Sequence, residues 1–394
     1  MAGTVIVAGA RTPIGKLSGA LSSLKAVDLG GVAIAEALRR AGIGPEQVDH
    51  VLMGHVLQAG TQHMTARQAA IRAGIGLSTP ANTINKVCLS GLNTIYLADL
   101  MINAGDADII IAGGMESMSQ APHMLLGARH GYRLGDAPLV DALMYDGLTC
   151  SIDVLGMGEA TEKYNQDAGI TRERQDTMAA ASHAKAAAAI ASGRFAQEIA
   201  PVSIPQRKGD PTIVDTDEGV RIESTFESLS SLRPAFRKDG SITAGNASQI
   251  SDGASAVVMM SKAKAAELGL EPLGELIGYG QVAGPGSPSL LTQPSRAIAA
   301  ACARAGLSPS DLDVIEINEA FATVGLASID DLGLDQSKVN VNGGAIALGH
   351  PLGASGNRIA LSALYELKNR GGGIAGVGLC GGGGQGDAAI FRSL

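Results

Sequence analysis

The sequence predicts an α/β protein built from two similar halves, with a long insertion in the first. Three observations predict it. A block at residues 41–57 recurs at residues 305–321 with a constant offset of 264. A strand–helix–strand block after each copy recurs in the same order. The stretch at residues 119–245 between the copies has no partner in either.

The first echo is read residue by residue. Ala41-Gly42 matches Ala305-Gly306, Pro45 matches Pro309 and Asp49 matches Asp313. Val51 and Met53 match Ile315 and Ile317. Each copy reads as a helix that ends at Gly, a short turn, then an alternating apolar strand. In the second echo, Ser90-Gly91 opens a helical stretch to Asn103 with Leu92, Ile95, Leu97 and Leu100 as apolar positions. Ser355-Gly356 opens its counterpart to Asn369, with Ile359, Leu361, Leu364 and Leu367. Strands follow both, beginning at Asp108 and Ile374, and each runs into glycines. Within the insertion, residues 178–192 are Ala-rich and predict a helix on propensity, with His183 solvated on it. Residues 207–225 read as loop. The expected organisation is residues 1–118 with 246–270 as the first half, 119–245 as the insertion and 271–394 as the second half. Inserted loops on a rigid scaffold often carry binding.

Bulk properties agree and narrow the function classes. The chain has 394 residues, 45% hydrophobic, with 53 Gly, only 3% aromatics and no Trp, which suits close helix-on-sheet layers. The net charge of −8 argues against sequence-independent nucleic-acid binding, which needs an excess of Lys and Arg. No secretory or transit pattern precedes the apolar run from Thr4 to Ala10, and no uninterrupted apolar segment reads as membrane-spanning. The expectation is a cytoplasmic protein with reduced thiols and no membrane partner. The four cysteines, Cys88, Cys150, Cys302 and Cys380, have no metal-ligand spacing, so no metal site is expected.

Two of these thiols and one histidine have settings that point to chemistry. Cys88 lies in Asn85-Lys-Val-Cys-Leu-Ser-Gly, where a strand-like approach ends and a helix begins. A thiol at a helix N-terminus feels the positive end of the macrodipole, which lowers its pKa toward the thiolate. The alternative is a buried thiol that packs as a small apolar group. His350 sits among five glycines in Asn342-Gly-Gly-Ala-Ile-Ala-Leu-Gly-His-Pro-Leu-Gly-Ala-Ser-Gly, just ahead of the second repeated helix, and is the best placed histidine for a base. His55, at a strand end, reads as structural. Cys380 ends a strand and precedes four glycines, whose N–H groups can point into a site. Cys150 and Cys302 read as ordinary buried thiols. Asn318-Glu-Ala-Phe marks the point where the first echo changes chemistry, since its counterpart is Gly54-His-Val-Leu.

Two thiols, an imidazole and backbone donors fit acyl transfer through a thioester followed by carbon–carbon bond formation. One thiol takes the acyl group, and the second removes a proton α to a thioester carbonyl. At these residues the chain resembles the thiolase family along its whole length. The motifs are Val7-Ala-Gly-Ala-Arg-Thr-Pro-Ile-Gly, Asn85-Lys-Val-Cys-Leu-Ser-Gly, Gly113-Gly-Met-Glu-Ser-Met-Ser, Asn318-Glu-Ala-Phe-Ala, residues 342–356 and Leu379-Cys-Gly-Gly-Gly-Gly-Gln-Gly-Asp. All six occur in order.

The resemblance implies a five-layered α-β-α-β-α thiolase fold from two similar α/β halves, with an inserted loop domain. It implies Cys88 as the acylated nucleophile, His350 as its activator and oxyanion donor, and Cys380 as acid and base. Asn318 would hold a water beside His350, and the N–H groups of Cys88 and Gly382 would form a second oxyanion hole. By motif match, Ser248, Phe236 and Leu232 would line the CoA site, with Arg221 a weaker match for the nucleotide. Met157 would border the acyl pocket with Ala320 and Phe321. The implied partners are acetyl-CoA, acetoacetyl-CoA and CoA as substrates, with no cofactor. Residues 119–148 resemble a loop through which such enzymes form homotetramers. The implied reaction is condensation of two acetyl-CoA, and its reverse. The alternative is cleavage of longer 3-ketoacyl-CoA. Carrier-protein ketosynthases share the fold but lack a second catalytic cysteine, and Cys380 argues against them. Departures are Gly156 where relatives often have His, Gln249 in place of a common Gly, and the stretch 284–295. They bear on acyl preference.

Overall fold

The computed structural model describes residues 3–394. The first half supplies strand β1 (Thr4–Arg11), helix α1 (Ala26–Ala41), β2 (His50–Gly54), α2 (Thr65–Arg72), β3 (Ala81–Ile84), α3 (Ser90–Ala104) and β4 (Ile109–Ser117). The insertion holds α4 (Met157–Ala168) and α5 (Arg172–Ala191) with short hairpins and turns, and β5 (Ser251–Ser261) returns to the sheet. The second half supplies β6 (Gly274–Ala283), α6 (Gln293–Ala305), β7 (Val314–Ile317), α7 (Ala322–Leu332), α8 (Leu352–Arg370), β8 (Ile374–Gly381) and β9 (Gln385–Arg392).

The sheet order is β7-β8-β9-β6-β1-β5-β4-β2-β3, with a two-residue strand, Gly15–Lys16, against β5. The order is a duplication. The set β1-β5-β4-β2-β3 repeats as β6-β9-β8-β7, and a single bridge between Ile315 and Val339 stands where β3 stands in the first half. Among the described residues, the halves pair edge to edge through Val5 with Glu275 and Ile6 with Gly274.

Strand alternation sorts the side chains into layers. In the first half, Val5, Val51, Met53, Ile109, Ile111 and Val258 face α1 and α2. Ile6, Leu52, Ile110, Ala112 and Met259 face the opposite way, onto α3 and α8. In the second half, Val377, Leu379, Ala389 and Phe391 join that same central core, while Ile315, Ile317, Ala388 and Ile390 face α6. The layers therefore run helix, sheet, helix, sheet, helix. Helices α1 and α6 both end at a left-handed glycine, Gly42 and Gly306, as the repeat predicts.

Three expectations are corrected. Helix α8 starts at Leu352, three residues before Ser355, because Pro351 stands at its N-cap and no donor is lost there. His183 is buried, and its Nδ1 accepts from the Arg221 N–H at 3.1 Å, so the Ala-rich helix is covered by the following loop. The segment Val87–Ala104 has a mean hydropathy of 1.3 over 18 residues, enough by length and composition to cross a membrane. Half of it is buried in the central core, where Leu92, Ile95 and Ala98 are fully buried, while Leu100 is 46% exposed.

Candidate active site

Cys88 stands on a sharp turn between β3 and α3. Val87 has φ +52°, a left-handed conformation that strains a β-branched residue by about 1–3 kcal/mol. The turn is held by local bonds. Asn85 Oδ1 accepts from Val87 N–H at 3.0 Å, Ser90 Oγ accepts from Lys86 N–H at 2.8 Å, and the Ser90 hydroxyl donates to Val87 O at 2.6 Å.

His350 and Cys380 come from the second half. His350 precedes α8, and Cys380 is the penultimate residue of β8, paired with Gly386 of β9. The glycine turn between these strands brings the Gly382 N–H near the Cys88 sulfur, where it and the Cys88 N–H pull the thiol pKa down. One small cavity of about 50 Å³ is lined by Cys88, His350, Cys380, Gly382, Met157, Ser248, Ala320 and Phe321, with Val87, Leu148, Leu290 and Leu352 among its apolar walls. A wider cavity of about 510 Å³ adjoins it and shares Val87, Gly147, Met157 and Gly382.

The imidazole is fixed from behind. Ser355 Oγ donates its one hydrogen to Pro351 O at 2.9 Å, so at 2.6 Å it accepts from His350 Nδ1–H. That leaves Nε2 as the lone-pair nitrogen. Asn318 Nδ2 lies 3.5 and 3.4 Å from the two ring nitrogens, too long and too evenly placed for a strong bond to either. Asn318 Oδ1 is buried with no hydrogen-bond partner among the described residues. The His350 N–H donates to Gln249 O at 3.1 Å, and Gln249 Nε2 donates to the carbonyls of Gly219, Ile346 and Ala347, each at 3.0 Å. The Gln249 departure thus ties the insertion to the His350 turn.

Electrostatics correct one expectation. Burial pushes the Cys88 thiol up to about 12, against the N–H groups of Cys88 and Gly382, which pull it down. Desolvation outweighs the helix terminus, so the resting group is a thiol rather than a thiolate. Cys380 is pushed up by burial and by the neighbouring Cys88. Burial, then the Arg358 charge, drives His350 down to about 3, so the imidazole rests neutral.

The remaining candidates divide. Phe236 packs edge-on to Phe321, with ring centroids 6.1 Å apart, leaves 43% of its surface exposed and does not itself line the catalytic cavity. Leu232 is exposed, and its carbonyl accepts from Arg172 at 3.0 Å. Arg221 is exposed and does not line the catalytic cavity. His55 is buried, 3.0 Å from Thr65 Oγ1 and 3.4 Å from Glu116, away from the catalytic cavity. Cys150 and Cys302 are buried free thiols. Among the described residues, no group of three or more His, Cys, Asp or Glu is placed to hold a metal ion.

Sequence reasoning missed Ser355 as the partner of His350, Leu290 as a wall, and the pair Lys86–Asp387 beside the two cysteines. Ser355 was visible only as a repeat marker. The others join residues too distant in the chain for any local pattern.

Comparison with known proteins agrees with this geometry. Residues 4–263 match the family model "Thiolase, N-terminal domain", and residues 270–393 match "Thiolase, C-terminal domain". A probable acetyl-CoA acetyltransferase of Mycolicibacterium smegmatis is 58% identical over 98% of this chain and all of its own length. A probable acetyl-CoA acetyltransferase of Mycobacterium tuberculosis is 55% identical over the full length of both. An acetyl-CoA acetyltransferase of Cupriavidus necator is 52% identical over 98% of each chain. With two catalytic-type thiols and an imidazole converging from a duplicated α/β scaffold, and with both halves matched, the chain belongs to the thiolase family.

Proposed function

We propose that this thiolase is an acetyl-CoA acetyltransferase, joining two acetyl-CoA into acetoacetyl-CoA and CoA and running the reverse thiolysis. The observation that carries the reading is the meeting of Cys88, His350, Cys380 and the Gly382 N–H in one small, apolar cavity. Its size and its walls of Leu148, Leu290, Leu352 and Phe321 favour a short acyl group over a long one.

In the cleavage direction, His350 Nε2 takes the Cys88 proton as the sulfur adds to the 3-keto carbon. The oxyanion forms against the N–H groups of Cys88 and Gly382, placed before it develops. The bond between C2 and C3 breaks, its electron pair passes to the acetyl-CoA enolate, and the Cys380 thiol protonates C2. A thiol held protonated by burial suits that donation. Incoming CoA gives its proton to the Cys380 thiolate and attacks acetyl-Cys88. The Cys88 thiolate leaves and recovers a proton from His350. Condensation is the same path reversed. Asn318 Oδ1, lacking a protein partner, can accept from a water that shares the thioester oxygen with His350.

CoA reaches the cavity along Ser248, Met157 and Phe236, with Leu232 and Arg221 further out on the insertion. Residues 119–245 form the loop domain set into the first half, 1–118 with 246–270, and 271–394 form the second. The exposed apolar residues Leu125, Leu126, Leu134 and Leu139 favour assembly of a homotetramer through residues 119–148. We place the enzyme in the cytoplasm, with CoA thioesters as substrates rather than cofactors. Kinetics with 3-ketoacyl-CoA of increasing length test the acyl assignment; equal or better turnover of long chains would reverse it. Labelling by radioactive acetyl-CoA tests the nucleophile. It should vanish in Cys88→Ala and persist in Cys380→Ser, which should no longer condense.

A further inference from the structure

The two cysteines approach from opposite halves of the duplicated scaffold, and one partly buried ion pair joins the segments that carry them. Lys86 lies two residues before Cys88 on the strained turn. Its Nζ donates to both carboxylate oxygens of Asp387, at 2.8 and 2.9 Å. Asp387 is on β9 opposite Leu379, one pair along from Cys380 and Gly386. Its side chain is 1% exposed, and that of Lys86 is 21% exposed. Tyr279 of β6 donates to Asp387 Oδ2 at 2.8 Å, and its ring stacks on Tyr96 of α3 with centroids 4.3 Å apart. Three elements thus meet at one carboxylate, the Cys88 turn, the Cys380 hairpin and the β6 strand, and the helix that Cys88 precedes braces the tyrosine.

We propose that Lys86 and Asp387 are positioning residues that set the separation of Cys88 from the Cys380–Gly382 hairpin. The inference rests on the roles assigned to those cysteines above. The lysine lies off the cavity and its charge is committed to Asp387, so it touches no reacting atom. A change of a fraction of an ångström between the two segments misplaces the Gly382 N–H and the Cys380 thiol together. Near-attack geometry is steep in distance, so the chemical steps lose rate while CoA binding does not. A lysine contact to both oxygens of a carboxylate that is also held by a tyrosine has little slack, and removing Lys86 leaves the buried Asp387 without its counter-charge.

The test uses the full-length enzyme with Lys86→Gln, Asp387→Asn, the double variant and Lys86→Arg. Expected is a fall of at least tenfold in kcat for condensation in each neutral single variant, with KM for acetyl-CoA within twofold. The double variant should be no worse than the worse single, and Lys86→Arg should recover most of the rate. A second readout measures spacing directly: the rate at which a short bifunctional thiol reagent bridges Cys88 to Cys380 should drop in the same variants. A folded neutral single variant with wild-type kcat and bridging overturns the proposal. So does a loss of rate with unchanged bridging, or one matched by KM. Should one neutral variant fail to fold, the other carries the same test. Failure of the underlying reading would look different, since Cys88→Ala would then retain acetyl labelling in the otherwise native protein.

Discussion

Ser355→Ala isolates the group that sets the tautomer of His350. The hydroxyl spends its hydrogen on Pro351 O and accepts from His350 Nδ1–H at 2.6 Å, in a setting where both residues are buried. Alanine leaves that N–H without a partner. An unsatisfied buried donor costs about 1–3 kcal/mol. Part of the cost is paid in the resting enzyme, but the bond strengthens when the ring becomes imidazolium, because charge-assisted bonds are roughly twice as strong. The loss therefore grows along the reaction path and falls on kcat rather than KM. At one power of ten per 1.36 kcal/mol, the expected slowing is about 5- to 150-fold. The alanine also frees the ring to carry its proton on Nε2, facing Cys88, where it can no longer accept the thiol proton. The assay is single-turnover acetylation of Cys88 by labelled acetyl-CoA, beside a thermal melt. A folded variant that acetylates within twofold of wild type would refute the tautomer assignment and the role of Nε2 as base.

Three further outcomes are expected. Because the Cys88 thiol is pushed up to about 12 and His350 lies near 3, no thiolate–imidazolium pair rests in the free enzyme. Alkylation of Cys88 by iodoacetamide should rise about tenfold per pH unit between pH 6 and 10, as thiolate accumulates; a plateau from pH 7 upward would show a preformed thiolate. Gly91→Ala should destabilise by about 1–3 kcal/mol, since a methyl there would sit 2.7 Å from the Gly353 carbonyl and 2.9 Å from the Asn357 N–H, both backbone. A urea midpoint equal to wild type would mean that α3 and α8 can separate. Arg11→Met should cost about 3–5 kcal/mol, because Arg11 bonds Glu198 at 2.9 Å and Asp217 at 2.7 Å in a fully buried cluster. Unchanged thermal stability would show that water reaches those carboxylates.

The architecture was legible wherever a period or a cap carried it. The alternating strands and the glycines after α1 and α6 exposed the duplication, because each copy must solve the same packing problem. The join between halves was not legible. Its edge pairing joins residues some 270 positions apart, and β1 and β6 read alike whether they pair or not. His183 was misread for a related reason: an Ala-rich helix shows no face to cover it, and the cover is a loop N–H at residue 221. The three catalytic-type residues were legible because glycines and helix starts mark them. Their ionisation was not, since the helix terminus is written locally while burial comes from walls as distant as Leu290 and Phe321.

The duplication also explains why so little of the site could be read from either copy alone. Strand register makes Met115 of β4 the counterpart of Cys380, and Glu116 the counterpart of Gly381. The turns before α3 and α8 are counterparts as well. Each strand end serves the helix start of the other half. The Glu116 carboxylate accepts from Gly353 N–H at 2.9 Å in the first turn of α8, just after His350, and also holds Val56 and Leu57 of its own half. In return, Gly382 of the second half brings its N–H near Cys88 in front of α3. Burial pushes the Glu116 carboxyl up to about 7, so it anchors that N-terminus chiefly by accepting from its free N–H groups. A bare N–H suits one where negative charge must develop on the substrate. The two matching strand ends thus carry a carboxyl acceptor on one side and, one residue further along, an N–H donor on the other. That asymmetry turns two similar units into one site, with the nucleophile from the first and the base and acid from the second.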